Sequence, residues 1–191
     1  MLHFLFCLLW LVLPSHADPV SEAEYIRLKT EMKTLAKRNA WNGVEHAFQA
    51  CSDIKPQLGF DDYLLGAFAA QSAGDVKATR ERLWAAHQLK EEKSIIDWLW
   101  NIDTTYVQVH LKAKPDDQLT YVGSDFHPQL PLLIQTAQKA FSDNEDFNGY
   151  LLPGTYQIGT VTFDVDFDLP KTRINTRMSH QTYSARRISL R

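Results

Sequence analysis

Between residues 21 and 92 apolar residues return every three or four positions, in four runs with regularly placed breaks. Ser21-Glu22-Ala23-Glu24 has the form of a capping box, with Ser21 as cap and Glu24 reaching back. Tyr25, Leu28, Met32 and Leu35 then form one apolar stripe, opposite Arg27, Lys29, Lys33 and Lys37. Asn39 and Asn42-Gly43 interrupt it. Trp41, Val44, Ala47, Phe48 and Cys51 form the second run, which Ile54-Lys55-Pro56 ends. Asp61-Asp62 is placed to cap a third run holding Tyr63, Leu64, Leu65, Ala67, Phe68 and Ala70. After a turn at Gly74-Asp75, Val76, Ala78, Leu83, Trp84 and Ala86 make the fourth. A shift of 35 residues lays the second pair on the first: Asn39 falls on Gly74, Val44 on Thr79, Phe48 on Leu83 and Cys51 on Ala86. The segment is expected to fold as two stacked helical hairpins.

Repetition of helix–turn–helix units at about this period resembles the tetratricopeptide repeat. Leu35, Val44, Phe48, Cys51 and Pro56 have the spacing of that family's packing positions in the first unit; Leu65, Gly66, Gly74, Leu83 and Ala86 have it in the second. The likeness covers about 70 residues. Val44, Cys51 and Thr79 stand where the family usually has a small residue, and the second unit has one extra residue between Gly66 and Leu83. A generic pair of helical hairpins is the alternative. The resemblance implies a packed layer with a concave, polar-lined face that holds a partner protein. About three such units are usually needed for stability, so a further segment is expected to cover the second hairpin.

That segment is residues 93–105. It is dense in large apolar residues, from Ser94 to Ile102, and reads as a short capping helix or bridge. Trp98 and Trp100 are expected in the core between the two parts of the chain, rather than as a ligand platform. The period then changes to two. Val107, Val109, Leu111 and Ala113 share one face of a strand, and Leu119–Val122 is a second strand. Pro128 opens a helix running to Phe141, in which Pro131 is tolerated because it falls in the first turn. The clearest strand runs from Thr160 to Asp168, with Val161, Phe163, Val165 and Phe167 on the expected buried face. Leu152-Pro153-Gly154-Thr155-Tyr156 before a strand resembles the turns of small extracellular β-sandwich modules of the PEGA type. The intervening helix makes an α+β module the expectation for residues 106–168.

Residues 4–13 are uninterrupted apolar, followed by Pro14 and by the small residues Ser15 and Ala17. This matches a secretory signal, with cleavage expected between Ala17 and Asp18. Ten residues span about 15 Å as a helix, against a bilayer core of about 30 Å. No Lys or Arg precedes the run, so a retained anchor or a buried helix is the alternative. Cleavage removes Cys7 and leaves Cys51 alone, without an internal disulfide partner. No other run is long enough for a membrane helix, so an exported protein, periplasmic or secreted, is expected.

The formal charge of −3 excludes a uniformly basic nucleic-acid binder. The charge is unevenly placed. Six of the 20 basic residues lie in 169–191, which holds no acid, so 14 face 23 acidic residues elsewhere, a balance of −9. This tail has few large apolar residues and is expected to be disordered. Arg173, Arg177, Arg186, Arg187 and Arg191 offer the alternative of contact with an anionic surface, lipid or lipopolysaccharide; nucleic acid is not expected, since the tail lacks interleaved aromatic residues.

No sequence signature of chemistry stands out. Asp164, Asp166 and Asp168 fail as a calcium loop, because Leu169 and Asn175 occupy the places of the required Gly and Glu. Asp143-Asn144-Glu145-Asp146, with Asn148 and Gly149, is better shaped for a weak calcium site but also reads as a polar surface loop. His46 and Cys51 lie five apart, off one helical face, and make a poor dyad. No cofactor, metal site or catalytic residue is expected. The organisation expected is a signal at 1–17, helical hairpins at 18–92, a bridge at 93–105, an α+β module at 106–168 and the tail at 169–191. The function expected is non-enzymatic protein binding in the cell envelope, with glycan or lipid binding through the β-rich module and tail as the rival.

Overall fold

The computed structural model describes residues 19–55, 57–124, 127–167 and 172–175. Two helical hairpins come first: α1 (Pro19–Ala36) with α2 (Trp41–Ile54), then α3 (Phe60–Ser72) with α4 (Val76–Leu89). A single helix, α5 (Lys93–Thr105), leads into β1 (Val107–Lys112) and β2 (Leu119–Tyr121). Then follow α6 (Leu130–Ser142), β3 (Phe147–Leu151), β4 (Gly154–Ile158), β5 (Val161–Val165) and β6 (Thr172–Asn175). Helices gather in the first half and strands in the second, which is an α+β fold. Among the described residues no helix is long and apolar enough to cross a membrane.

The hairpins form where the apolar stripes require. Tyr25, Leu28 and Met32 of α1 bury against Val44, Ala47, Phe48 and Cys51 of α2. The turns use left-handed backbone at Asn39 (φ 54°) and Gly74 (φ 76°). Two expected caps are displaced. Ser21 lies inside α1, which is already helical at Pro19, and Glu24 accepts from Arg27. Asp62 is not a cap but the third residue of α3, reaching back to the Gly59 N–H at 3.1 Å. Asp75 caps α4 by accepting from the Ala78 N–H at 2.9 Å.

Two three-stranded sheets follow. In the first, β1 lies between β3, antiparallel (Val107 opposite Leu151), and β6, parallel (Leu111 opposite Ile174). In the second, β4 lies between β2 and β5, both antiparallel, with Tyr156 opposite Tyr121 and Phe163. The tail expected to be disordered from residue 169 thus contributes a strand at Thr172–Asn175, because β1 offers that segment an open backbone edge. On β5 only Phe163 and Val165 of the expected apolar face are buried. Val161 and Phe167 are exposed, since they lie at and beyond the strand's ends, where the sheet no longer covers them.

The core has two parts. The smaller holds α1, α2 and one side of α3. The larger runs without a break from Leu83 and Ala86 of α4, through Ile95, Leu99 and Ile102 of α5, into Val107, Val109, Leu111, Phe141 and Tyr156. Full burial of side chains such as Leu111 or Phe141 contributes about 1.5–3 kcal/mol each. Tyr156 donates its hydroxyl to the Leu152 carbonyl at 3.0 Å, so its polar end is satisfied within the core.

Candidate functional site

The repeat-packing residues divide between the two cores. Val44, Phe48 and Cys51 lie in the smaller core, with Leu35 and Leu65 partly buried against it. Leu83 and Ala86 lie in the larger one. Gly66 and Gly74 serve close approach. A Cβ on Gly66 would stand 2.4 Å from the Phe48 ring, and one on Gly74 2.6 Å from the Leu132 Cβ of α6. None of these residues forms the open surface. They position it.

Two polar clusters lock the helices in register. Asp62 is fully buried, and its Oδ2 accepts from the Tyr25 hydroxyl at 2.5 Å, from Lys29 Nζ at 3.2 Å and from the Gly59 N–H. Burial first, and then the bond to Asp62, push the Tyr25 hydroxyl well above the ordinary tyrosine range. Arg82 of α4 grips both carboxylate oxygens of Glu45 on α2 and also donates to the Gly66 carbonyl at 2.7 Å. Its guanidinium carbon lies 4.1 Å from the centre of the Phe48 ring. Sequence spacing gave neither cluster away, because each joins residues 37 positions apart.

On this frame three aromatic rings from three helices meet in a row. Trp41 opens α2, and its ring centre lies 6.0 Å from that of Phe68 on α3. Phe68 lies 4.9 Å from Trp98 on α5. Phe68 keeps 39% of its surface exposed, and both tryptophans are partly open. Beyond Trp98 the row meets a narrow cleft of about 50 Å³, where α3, α5 and the start of α6 converge. Gln71, Asn101 and Gln129 give it amide groups, and Tyr106 donates its hydroxyl to Gln129 Oε1. Burial raises the Tyr106 hydroxyl above its usual range, so it stays a neutral donor. A space of this size takes water or the tip of one side chain. What the arrangement offers is an anchoring surface: flat aromatic area beside fixed hydrogen-bonding groups.

The other expected features are placed differently. Trp98 packs partly against the larger core as expected, but Trp100 is 68% exposed. The inward positions of α5 are 95, 98, 99 and 102, and residue 100 is rotated about 200° from residue 98. Cys51 is buried and free, and burial pushes its thiol up, while His46 is exposed. The acidic 143–149 segment is taken apart by pairing: Asp143 meets Lys139 at 2.5 Å, Asp146 meets Lys112 at 2.7 Å, and Asn148 and Gly149 belong to β3. Asp164 accepts the Thr155 hydroxyl at 2.7 Å. Among the described residues no three His, Cys, Asp or Glu side chains are grouped to hold a metal ion. Arg173 pairs through its backbone with β1, level with His110. Ala17, Asp18, Pro56, Asp168, Arg177, Arg186, Arg187 and Arg191 lie outside the described residues.

The class these features define is a helical-hairpin layer joined to a small α+β module. The chain matches no family model, no curated protein and no solved structure.

Proposed function

We propose that this protein is an exported, non-enzymatic binding protein of the cell envelope, whose tetratricopeptide-like hairpins hold a partner protein on the Trp41–Phe68–Trp98 row. The observation that carries the reading is the row itself: three touching, partly open rings from three helices, fixed from behind by a packed layer. Interfaces concentrate their binding energy in a few anchors of this kind, tryptophan above all, surrounded by groups that exclude water. The cleft beside Trp98, with its amides, suits the tip of a small polar side chain of a bound segment. The partner that fits is a protein segment presenting apolar residues flanked by hydrogen-bonding groups.

The test is capture from envelope extract with the wild-type chain and with Phe68→Glu, a substitution at an open position. A stoichiometric protein partner held by the wild type and lost with Phe68→Glu, at unchanged melting temperature, is the expected result. Capture that survives Phe68→Glu overturns the site. Recovery of lipid or glycan alone, abolished by removing residues 176–191, overturns the reading in favour of a surface-binding module. Export is measured separately, by the N-terminal sequence of the extracytoplasmic product, which is expected to begin at Asp18.

A further inference from the structure

A second open surface lies on the outer side of α4 and α5, and its geometry can be built from one ion pair. Arg80 of α4 meets Asp103 of α5 through Nε at 2.6 Å and Nη2 at 3.0 Å. The helices are joined by a short link and run antiparallel, so this pair sets their register. One turn along each helix brings Trp84 level with Trp100, and the next brings His87 level with Ile96. Trp84 is 52% exposed, Ile96 47% and Trp100 68%. Trp84 also touches the His87 ring, with centres 5.6 Å apart. These residues form a stripe: an ion pair at one end, two tryptophans in the middle, an isoleucine and a histidine at the other end.

Position in the fold makes this stripe unusual. The α5 helix is the first half of a hairpin whose second half is missing, since β1 follows it directly. The inward sides of α4 and α5 are covered by β1 and β3, with Tyr150 of β3 beside the Arg80–Asp103 pair, so the stripe lies along the rim of that contact. End units of stacked helical arrays need a polar outer face for solubility. This one presents two tryptophans instead.

Charge and area indicate what covers it. Residues 76–105 carry five basic and five acidic side chains, a balance of zero in a chain of −3. The cations along the stripe are already neutralised: Lys77 by Glu81 at 2.8 Å, Lys90 by Glu92 at 2.5 Å and Lys93 by Asp97 at 2.9 Å, besides Arg80 by Asp103. A strongly acidic or basic partner finds no complement here, whereas two identical faces meet without like-charge repulsion. Trp84, Ile96 and Trp100 leave open roughly 350 Å² of apolar surface, the size of patch that marks an interaction site. Two copies cover about 700 Å², and at the usual apolar share this corresponds to an interface of about 1,200 Å², the lower edge of the stable range.

We propose that the α4–α5 outer face is a two-fold interface through which two copies of this chain associate, Trp84 and Trp100 of each meeting those of the other. A two-fold contact uses the same patch on both copies and closes the assembly at two. This inference stands apart from the Trp41–Phe68–Trp98 row and does not depend on it.

The experiment is sedimentation velocity of the full chain from about 1 to 100 µM, a range in which an interface this small dissociates on dilution. The expected result is a monomer at the low end and a dimer at the high end. Trp84→Glu/Trp100→Glu is expected to remain monomeric throughout, with unchanged far-ultraviolet circular dichroism, since both residues are open. A wild-type chain that stays monomeric at every concentration overturns the proposal without reference to any variant. A dimer that persists in the double variant also overturns it, and assigns the association to another surface such as the apolar run at residues 4–13. A monomeric wild type that binds an amphipathic helix at Trp100 overturns the second copy as occupant.

Discussion

Arg82 on α4 and Glu45 on α2 form a two-pronged ion pair, at 2.5 and 2.7 Å, that ties the second hairpin to the first. Arg82 is nine-tenths buried and Glu45 mostly so. Removing the arginine leaves a largely desolvated carboxylate without its partner and takes the second donor from the Gly66 carbonyl. Arg82→Ala is therefore expected to cost about 2–3 kcal/mol, read as a lower urea midpoint. Glu45→Gln/Arg82→Met, which removes both charges and retains volume, is expected to recover much of that loss.

The same pair sets an acid limit. Burial pushes the Glu45 carboxyl up, but hydrogen bonds from Arg82 and Gln49 outweigh it and leave the group below the ordinary glutamate range. A carboxyl depressed in the folded state contributes stability above its unfolded value of about 4.3, and that contribution is lost as pH falls through the folded value. Urea midpoints of the wild type and Glu45→Gln are thus expected to differ at neutral pH and to converge below about pH 4.

An alkaline limit comes from Tyr25. Its hydroxyl is raised by burial and by the bond to Asp62, so the folded state holds that proton where the unfolded chain has lost it. Stability attributable to Tyr25 is complete below the unfolded value of about 10 and falls as pH rises above it. Tyr25→Phe is expected to cost about 1 kcal/mol at neutral pH, because Asp62 Oδ2 loses a donor. It is also expected to flatten the stability decline above pH 10, measured by denaturant titration at pH 8 to 11.

How far the sequence discloses this fold depends on what each residue contributes. Helices with an unbroken stripe, such as Tyr25–Leu28–Met32, are legible because burial demands their spacing. Strand β3 is not, since its inward residues are Phe147, Gly149 and Leu151, and the central one has no side chain to show the alternation. A Cβ there would meet the Phe147 ring at 2.3 Å, so packing itself erases the signal. Strand β6 was hidden because its pairing depends on an edge created by a strand some 60 residues earlier. The aromatic row was half legible. Trp41, Phe68 and Trp98 stand out in the sequence, but their meeting depends on how α2, α3 and α5 pack, which one helix's period does not encode. Trp100 failed as core because two tryptophans two residues apart cannot both face inward on one helix.

Gly66→Ala tests the close approach of α3 to α2. Helix propensity alone favours alanine by up to about 1 kcal/mol. Against that, the new methyl meets Phe48 at 2.4 Å, and the ring has little room to yield, with the Arg82 guanidinium on it and Tyr63 beside it. Overpacking of this kind costs about 1–3 kcal/mol, so the substitution is expected to lower the melting temperature. Restoration by Gly66→Ala/Phe48→Leu, relative to Phe48→Leu alone, would identify the ring as the cause.

Gly74 makes the sharpest demand, because two independent constraints fall on it. Its φ of 76° is left-handed, where a side chain costs about 1–2 kcal/mol. A Cβ would also stand 2.6 Å from the Leu132 Cβ and 3.1 Å from the Leu132 carbonyl carbon, so backbone as well as side chain must move. That contact joins the α3–α4 turn to α6, and thus the hairpins to the second module. Gly74→Ala is expected to cost more than Gly66→Ala, about 3 kcal/mol or more. Since the larger core runs unbroken from α4 into the sheets, the loss is expected in a single unfolding transition followed equally by tryptophan fluorescence and by circular dichroism. Two separated transitions in the wild type would show instead that hairpins and module unfold independently, with Gly74 a hinge between them.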